Sequence, residues 1–587
     1  MSQTPKLLAP AGSPAALKAA IDAGADEVYL GGSAFNARMN ANNFDRDALI
    51  KAGRLCRSAN VGMHITLNTL IYDREFKAVL EYVSFLYNEV FPDALIVQDL
   101  GLASVLRREF PSLPLHASTQ MRIHSSLDAE YLKSLGFTRA VLARELPFED
   151  IKAFARSGLD TEIFVHGAIC VSESGGCLMS SVIGGRSGNR GECAQPCRLP
   201  YKGENRYPLS LKDMCLASHL REISDAGVKS LKIEGRMKAP DYVGAVTSVY
   251  RKLLDEGRNA NGEELKYLAK IFSRSGFTDG YFVSKIGRDM FGIRSESDKQ
   301  KSNELVFKAK IAPKRQRLEA VVPAQPVFPT RDEEKTLHPS KQKGLVLRFE
   351  GRLPSDAFLK RHYDSATRID IPLAKCNEPR LLPYVEKISA IIPRSIYLKE
   401  REIVKKQLEK AKSIGIKQAT VSSLNHITLC DGMYLHGDYA FNVVNRETIA
   451  ALENYSLSSV MLSPETDGKF ARGSKCALEY IGYGRTPLMY TRTCIIANID
   501  GCKKREFCTS RLVDRMGASF PVISGHSHTN IIYNSLPAYR LDKKSELKKS
   551  GVGLITLFFT DEPEIRMEEV INLALTGEKP QFQYTRR

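Results

Sequence analysis

Between residues 6 and 236, short apolar runs alternate with longer segments of helical periodicity. KLLAPAG, EVYLGG, GMHITLNT, ALIVQD, LPLHAST, TRAVLARE, EIFVHGA and SLKIEGR read as eight strands, and stretches such as PAALKAAIDAGA and SLDAEYLKSLG as the helices between them. Eight strand–helix units within about 250 residues predict an α/β fold of the TIM-type (β/α)8-like barrel. No Gly-rich dinucleotide fingerprint follows the first strand, which argues against an open doubly wound sheet.

Alternation within these strands places polar groups. Successive strand side chains point to opposite faces. Lys232, Glu234 and Arg236 therefore share one face of SLKIEGR, opposite Leu231 and Ile233. His116, Ser118 and Gln120 oppose Leu115, Ala117 and Thr119, and His64, Thr66 and Asn68 oppose Met63, Ile65 and Leu67. If the apolar faces meet the outer helices, the polar faces line the barrel interior. That predicts a polar pocket; the alternative is that these groups merely pair with one another.

From about residue 344 the alternation resumes. Residues 435–465 align without gaps on 115–145 at a constant offset of 320, pairing His116 with His436 and Glu145 with Glu465. This predicts a second, diverged barrel-like repeat. Its closing strand, GLITLFFTDEP, has no counterpart of Lys232, Glu234 and Arg236, so the chemistry is expected in the first half, with the second as scaffold or binding domain. The expected domains are a catalytic barrel over 1–255, a helical extension and basic connector over 256–343, and the repeat over 344–587. The connector's stretch 308–343, rich in Pro, Lys and Arg, suits either an exposed linker or an arm contacting RNA.

Charge changes the picture. Lys and Arg number 84 against 67 Asp and Glu, a net +17. Such an excess suits a polyanionic partner or a merely solvated basic surface. The N-terminal MSQTPKLLAPAG lacks a secretory pattern and no apolar run approaches a membrane span, so a cytoplasmic protein without membrane association is expected. In a reducing compartment twelve cysteines stay free or bind metal.

Their clustering is therefore informative. Cys170, Cys177, Cys193 and Cys197 begin immediately after the seventh strand, at the end of a barrel where active sites lie. Four soft thiolates suit an iron-sulfur cluster or zinc, or stay unligated; the absence of C-x2-C knuckles and the loop's place beside a polar pocket favour an iron-sulfur cluster, expected as 4Fe-4S. Arg186 and Arg190, set among glycines, can approach cluster sulfides or a bound anion, or form a mobile basic loop. His166, just ahead of the loop, is a candidate acid/base group or a satisfied core residue. A second group, Cys494, Cys502 and Cys508 with His528, fits structural zinc, a second cluster or free thiols.

LLAPAGSPAALKAAIDAGADEVYLGG, LHASTQ, LARE, FVHGAICVSESGGC, NRGECAQPCR and SLKIEGRMK together resemble the collagenase-like peptidase U32 family, over roughly residues 6–290. The resemblance implies RNA or ubiquinone hydroxylation. It assigns the cluster to Cys170, Cys177, Cys193 and Cys197, and in the RNA branch it implicates prephenate as hydroxyl source or cosubstrate. The second half is similar to that of the longer, rRNA-type members, though His528 stands where those carry a last cysteine.

The reading that joins these features is an iron-sulfur enzyme forming a 5-hydroxypyrimidine in RNA, most readily 5-hydroxycytidine in large-subunit rRNA, with tRNA uridine as the alternative. Lys232 and Arg236 would grip phosphate or carboxylate, Glu234 or His166 would move protons, and Asn68, His116, Ser118, Gln120, Arg186 and Arg190 would contact substrate. An electron donor is implied. A peptidase lacks support from any G-x-S-x-G or H-E-x-x-H motif. A noncatalytic RNA-binding protein would explain the charge but leave the four cysteines without purpose.

Overall fold

The computed structural model describes residues 4–39, 42–296, 298, 343–470, 474–502 and 508–585. Nearly all of the basic connector, 308–342, lies outside them. The described residues form two compact units. The first takes those before residue 330 together with Thr491–Asn498; the second takes those up to Tyr490 and from Ile499 onward.

In the first unit, β1 (Lys6–Pro10), β2 (Glu27–Leu30), β3 (Gly62–Leu67), β4 (Ala94–Val97), β5 (Leu115–Ala117), β6 (Phe137–Val141), β7 (Asp160–Gly167) and β9 (Ser230–Ile233) run parallel in sequence order. Pairing of β9 with both β1 and β7 closes them into an eight-stranded barrel. These are the eight strands expected from the apolar pattern. Between β7 and β9 lies a long insertion that carries the four cysteines. It contains β8 (Asp213–Cys215), antiparallel to the end of β7, and β8 in turn pairs with β10 (Phe277–Thr278).

Local sequence explains the helices around the barrel. Ser13 caps Pro14–Asp22 by accepting from the Ala16 N–H, with proline in the first turn where a missing donor costs nothing. Asp45 caps Arg46–Ala59, and Asn60 ends it in the left-handed conformation. Met63, Ile65 and Leu67 are fully buried in the layer between strands and helices. The opposite face of β3 holds His64 and Thr66, as alternation required.

The second unit repeats the plan with β11 (Gly344–Phe349), β12 (Ala366–Pro372), β13 (Ile388–Ile391), β14 (Gln418–Val421), β15 (Tyr434–Gly437), β16 (Ser459–Met461), β17 (Ala477–Gly484) and β23 (Val552–Phe559), closed by β11–β23 and β17–β23. His436 sits on the fifth strand, as His116 does in the first barrel. The insertion between strands seven and eight here builds a four-stranded sheet from β18 (Pro487–Thr491), β21 (Asn530–Tyr533), β20 (Ser519–Ser524) and β19 (Thr509–Val513), and β22 (Ala538–Tyr539) pairs antiparallel with β17. Among the described residues no helix is long and apolar enough to cross a membrane.

Candidate functional site

The interior of the first barrel divides into two polar levels. The lower is a charge-balanced layer. Lys232 Nζ donates to Glu162 at 2.9 Å; Arg139 Nη1 donates to Glu27 at 2.7 Å and to Glu162 at 3.2 Å. His64 and His116 stack edge-to-face at 4.7 Å beside them. Burial, which would raise the Glu162 carboxyl, is overcome by Lys232 and Arg139, which bring it down to about 2. Burial holds His64 and His116 below the ordinary imidazole range, so both are neutral.

His64, His116 and Glu162 bring one ligand atom each within 4.8 Å of one another. A divalent cation there would stand beside Lys232 and Arg139, which already neutralise the two carboxylates, and such uncompensated buried charge is costly. The second barrel builds a similar layer from Arg368, Asp370 and Glu479, with His436 bonded to Ser459 and Thr556 donating to Glu479. A layer recurring in the barrel that lacks the four-cysteine loop is barrel core. Lys232 thus belongs to the floor.

The upper level lies at the C-terminal ends of the strands. Glu234, just past β9, meets Arg144 Nη2 at 2.5 Å and Arg38 Nη2 at 3.6 Å. Burial would raise its carboxyl, but Arg38 and Arg144 outweigh it and keep the group ionised. Arg236 donates to Thr66 Oγ1 at 2.9 Å and to Asn36 Oδ1 at 3.2 Å. Burial and the neighbouring Arg38 push it down to about 10. Three guanidiniums around one carboxylate leave an excess of positive charge in a water-poor site, which suits an anion.

The cysteine loop lies over this level. Burial raises the thiols of Cys177, Cys193 and Cys197, the last to about 12; Cys177 also feels the charge of Cys193, Cys197 and Cys170, Cys197 that of Cys170 and Cys193, and Cys193 that of Cys170. The four sulfurs therefore converge. Arg38, 3.6 Å from Glu234, is raised by that carboxylate first, with Cys170 and Cys193 adding to it. The Gln195 N–H donates to Cys193 Sγ at 3.3 Å. Four cysteine sulfurs with an amide donor and Arg38 nearby are a donor set that suits a thiolate-ligated metal centre.

Gly175 lets the loop settle. Its φ of +68° is left-handed, and a Cβ there would run into the Gln120 carbonyl. Arg190 pairs with Glu75 at 2.6 Å, donates to Leu70 O at 2.7 Å and stacks on Tyr72, so it clamps the loop to the segment after β3. Arg186 is exposed and donates to Glu192 O at 3.0 Å. Asn68 Oδ1 accepts from the Ala37 N–H, and Ser118 Oγ from the Gln120 N–H.

His166 is fully buried, 3.3 Å from the Tyr250 hydroxyl and edge-on to Phe277; burial, with Lys238, pushes it down to about 3. Cys215 lies 3.7 Å from the same hydroxyl.

Asn36, Arg38 and Arg144 carry much of the geometry and were not singled out from sequence. Their signal was positional: each follows the C-terminal end of a barrel strand, where the fold concentrates chemistry. Lys238 is another, pushed down to about 7 by burial against Phe272. Of the second cysteine group, Cys494 falls in the first unit and accepts from the Ala497 N–H at 3.4 Å. Cys508, in the second, is bonded to Ser524. Cys502 is exposed and His528 adopts a left-handed φ of +59°.

Residues 12–291 match Peptidase family U32. The chain is 41% identical over 288 residues to a 23S rRNA 5-hydroxycytidine synthase of Escherichia coli, a match covering 47% of this chain and 42% of that protein. It thus spans less than half of that relative's length. It is 32% identical over 304 residues to tRNA hydroxylation protein P of Helicobacter pylori, covering 48% of this chain and 72% of that one. A solved structure of a U32 peptidase superposes with a TM-score of 0.30 at 12% identity, over 40% of this chain and 94% of that one.

Proposed function

The chain belongs to peptidase family U32, and we propose that within it this protein hydroxylates a pyrimidine base of RNA. The observation that carries the reading is the convergence of Cys170, Cys177, Cys193 and Cys197 over a barrel mouth lined by Arg38, Arg144, Glu234 and Arg236. Two relatives named for RNA hydroxylation agree with it. The finer reading is 5-hydroxycytidine in large-subunit rRNA, supported by the higher identity to the rRNA enzyme; hydroxyuridine in tRNA is the alternative.

The four cysteines would hold a 4Fe-4S cluster, which supplies electron transfer when bound and requires an external donor. This chain's own groups do the rest. Arg38 and Arg236 bind an anion, either a phosphate of RNA or the carboxylate of a cosubstrate such as prephenate. Arg144 holds Glu234 ionised. Lys238, held near neutrality beside the mouth, can take or give a proton where Glu234 and His166 are pinned to one state each.

Nucleosides from separated rRNA and tRNA of strains with and without the gene, complemented by wild type or Cys193→Ala, test the reading. Loss of hydroxycytidine from rRNA, restored by wild type and not by the variant, is expected. Loss of hydroxyuridine from tRNA instead would move the substrate; no change in either pool would overturn RNA hydroxylation.

A further inference from the structure

One buried polar side chain at the mouth is unpaired among the described residues. Gln98 follows β4, is 4% exposed, and among the described residues neither its amide nitrogen nor its amide oxygen has a hydrogen-bond partner. Its direction follows from the strand. Ile96 packs on Leu8 and Tyr29 inside the barrel, and Gln98, two residues on, shares that face one step nearer the mouth. The registers Leu67↔Val97 and Val97↔Ala117 set it between Asn68 and Ser118. Those two spend their oxygens on neighbouring backbone. Gln98 does not.

An amide buried with both ends unpaired is destabilising, and such a group calls for an explanation outside the folded chain. An amide offers one acceptor and two donors in a plane, and its two flips present them in either order. Cytosine shows a donor at N4 beside an acceptor at N3; uracil shows an acceptor at O4 beside a donor at N3. Either edge is complementary to one flip of a glutamine. We infer that Gln98 is the residue that reads the edge of the target base, extruded into the barrel mouth between Asn68 and Ser118. The inference rests on the RNA-modifying reading of this site and names the residue that seats its substrate.

Gln98→Leu tests it, because the change keeps size and removes the orphaned amide. Two oligonucleotides serve as probes: a short single-stranded RNA with one central cytidine, and the same strand with an abasic site there. The wild type should prefer the base by at least about ten-fold, and Gln98→Leu should bind both alike. The variant should also melt higher, by roughly 1 to 3 °C, since a buried unsatisfied group is gone. Retention of the preference by a folded Gln98→Leu overturns the inference, as does a wild type without preference, and a lowered melting point would show the amide to be satisfied internally. If Gln98→Leu does not fold, Gln98→Met supplies the same comparison. Absence of hydroxylated nucleoside from the wild type would instead strike the proposed function, while base preference would still decide the role of Gln98.

Discussion

At the scale of single residues, the first barrel separates charges that hold the fold from charges free for chemistry. Glu162 is wholly buried and serves Lys232 and Arg139 together. Glu162→Gln leaves two cations facing one remaining carboxylate, so a loss of about 3 to 5 kcal/mol is expected in denaturant unfolding. The pH dependence has a definite sign. Because folding lowers the Glu162 carboxyl from 4.5 to about 2, its contribution is complete above pH 4.5 and is lost as pH falls toward 2. Acid titration of stability should therefore be shallower in Glu162→Gln across that window. An unchanged profile would remove Glu162 from the floor. His166 adds to acid sensitivity differently: it stays neutral while the unfolded chain protonates, so stability falls as pH drops below about 6.5.

At the scale of elements, the insertion between strands seven and eight decides what each barrel can do. In the first barrel it is a cysteine loop pressed onto the mouth by the Arg190–Glu75 pair and by the close approach of Gly175 to Gln120. Gly175→Ala meets both a left-handed φ and a carbonyl, so the loop must shift while the barrel beneath stays intact. If the four cysteines hold the proposed cluster, far-ultraviolet dichroism should be unchanged and bound iron, after anaerobic reconstitution, reduced several-fold. Full iron occupancy in the variant would mean that the loop position does not depend on this contact. In the second barrel the same insertion point holds a four-stranded sheet, and Thr556 takes the place of Lys232 in bonding the strand-seven glutamate.

For the whole molecule, one barrel plan occurs twice. The first unit also takes in Thr491–Asn498 from far along the chain: Thr491 bridges Ser172, Arg492 donates to the Glu145 carbonyl, and Asn498 donates to Pro208 O at 2.8 Å. Isolating residues 1–300 would strip these bonds from the cysteine loop's flank. The net charge of +17 belongs to this scale too. If RNA is the partner, affinity for a single-stranded oligonucleotide should fall at least about ten-fold between 50 and 200 mM salt, by counterion release. A flat salt response would assign the charge to solubility alone.

Period-two alternation and the spacing of apolar runs determined the eight strands of the first barrel, its polar interior and the second repeat. These are consequences of burying one strand face against helices, and such patterns are local. The nearness of the four cysteines to one another was legible for the same reason, since they share one loop. Roles that depend on which groups meet across the barrel were not legible. Lys232, Glu234 and Arg236 alternate alike in sequence, yet Lys232 lies in the floor and the other two at the mouth, because β9 ends at Ile233, and Glu234 and Arg236 lie beyond it. Arg38, Arg144 and Gln98 carry no motif. Only closure of the barrel places two of them around Glu234 and leaves the third without a hydrogen-bond partner among the described residues.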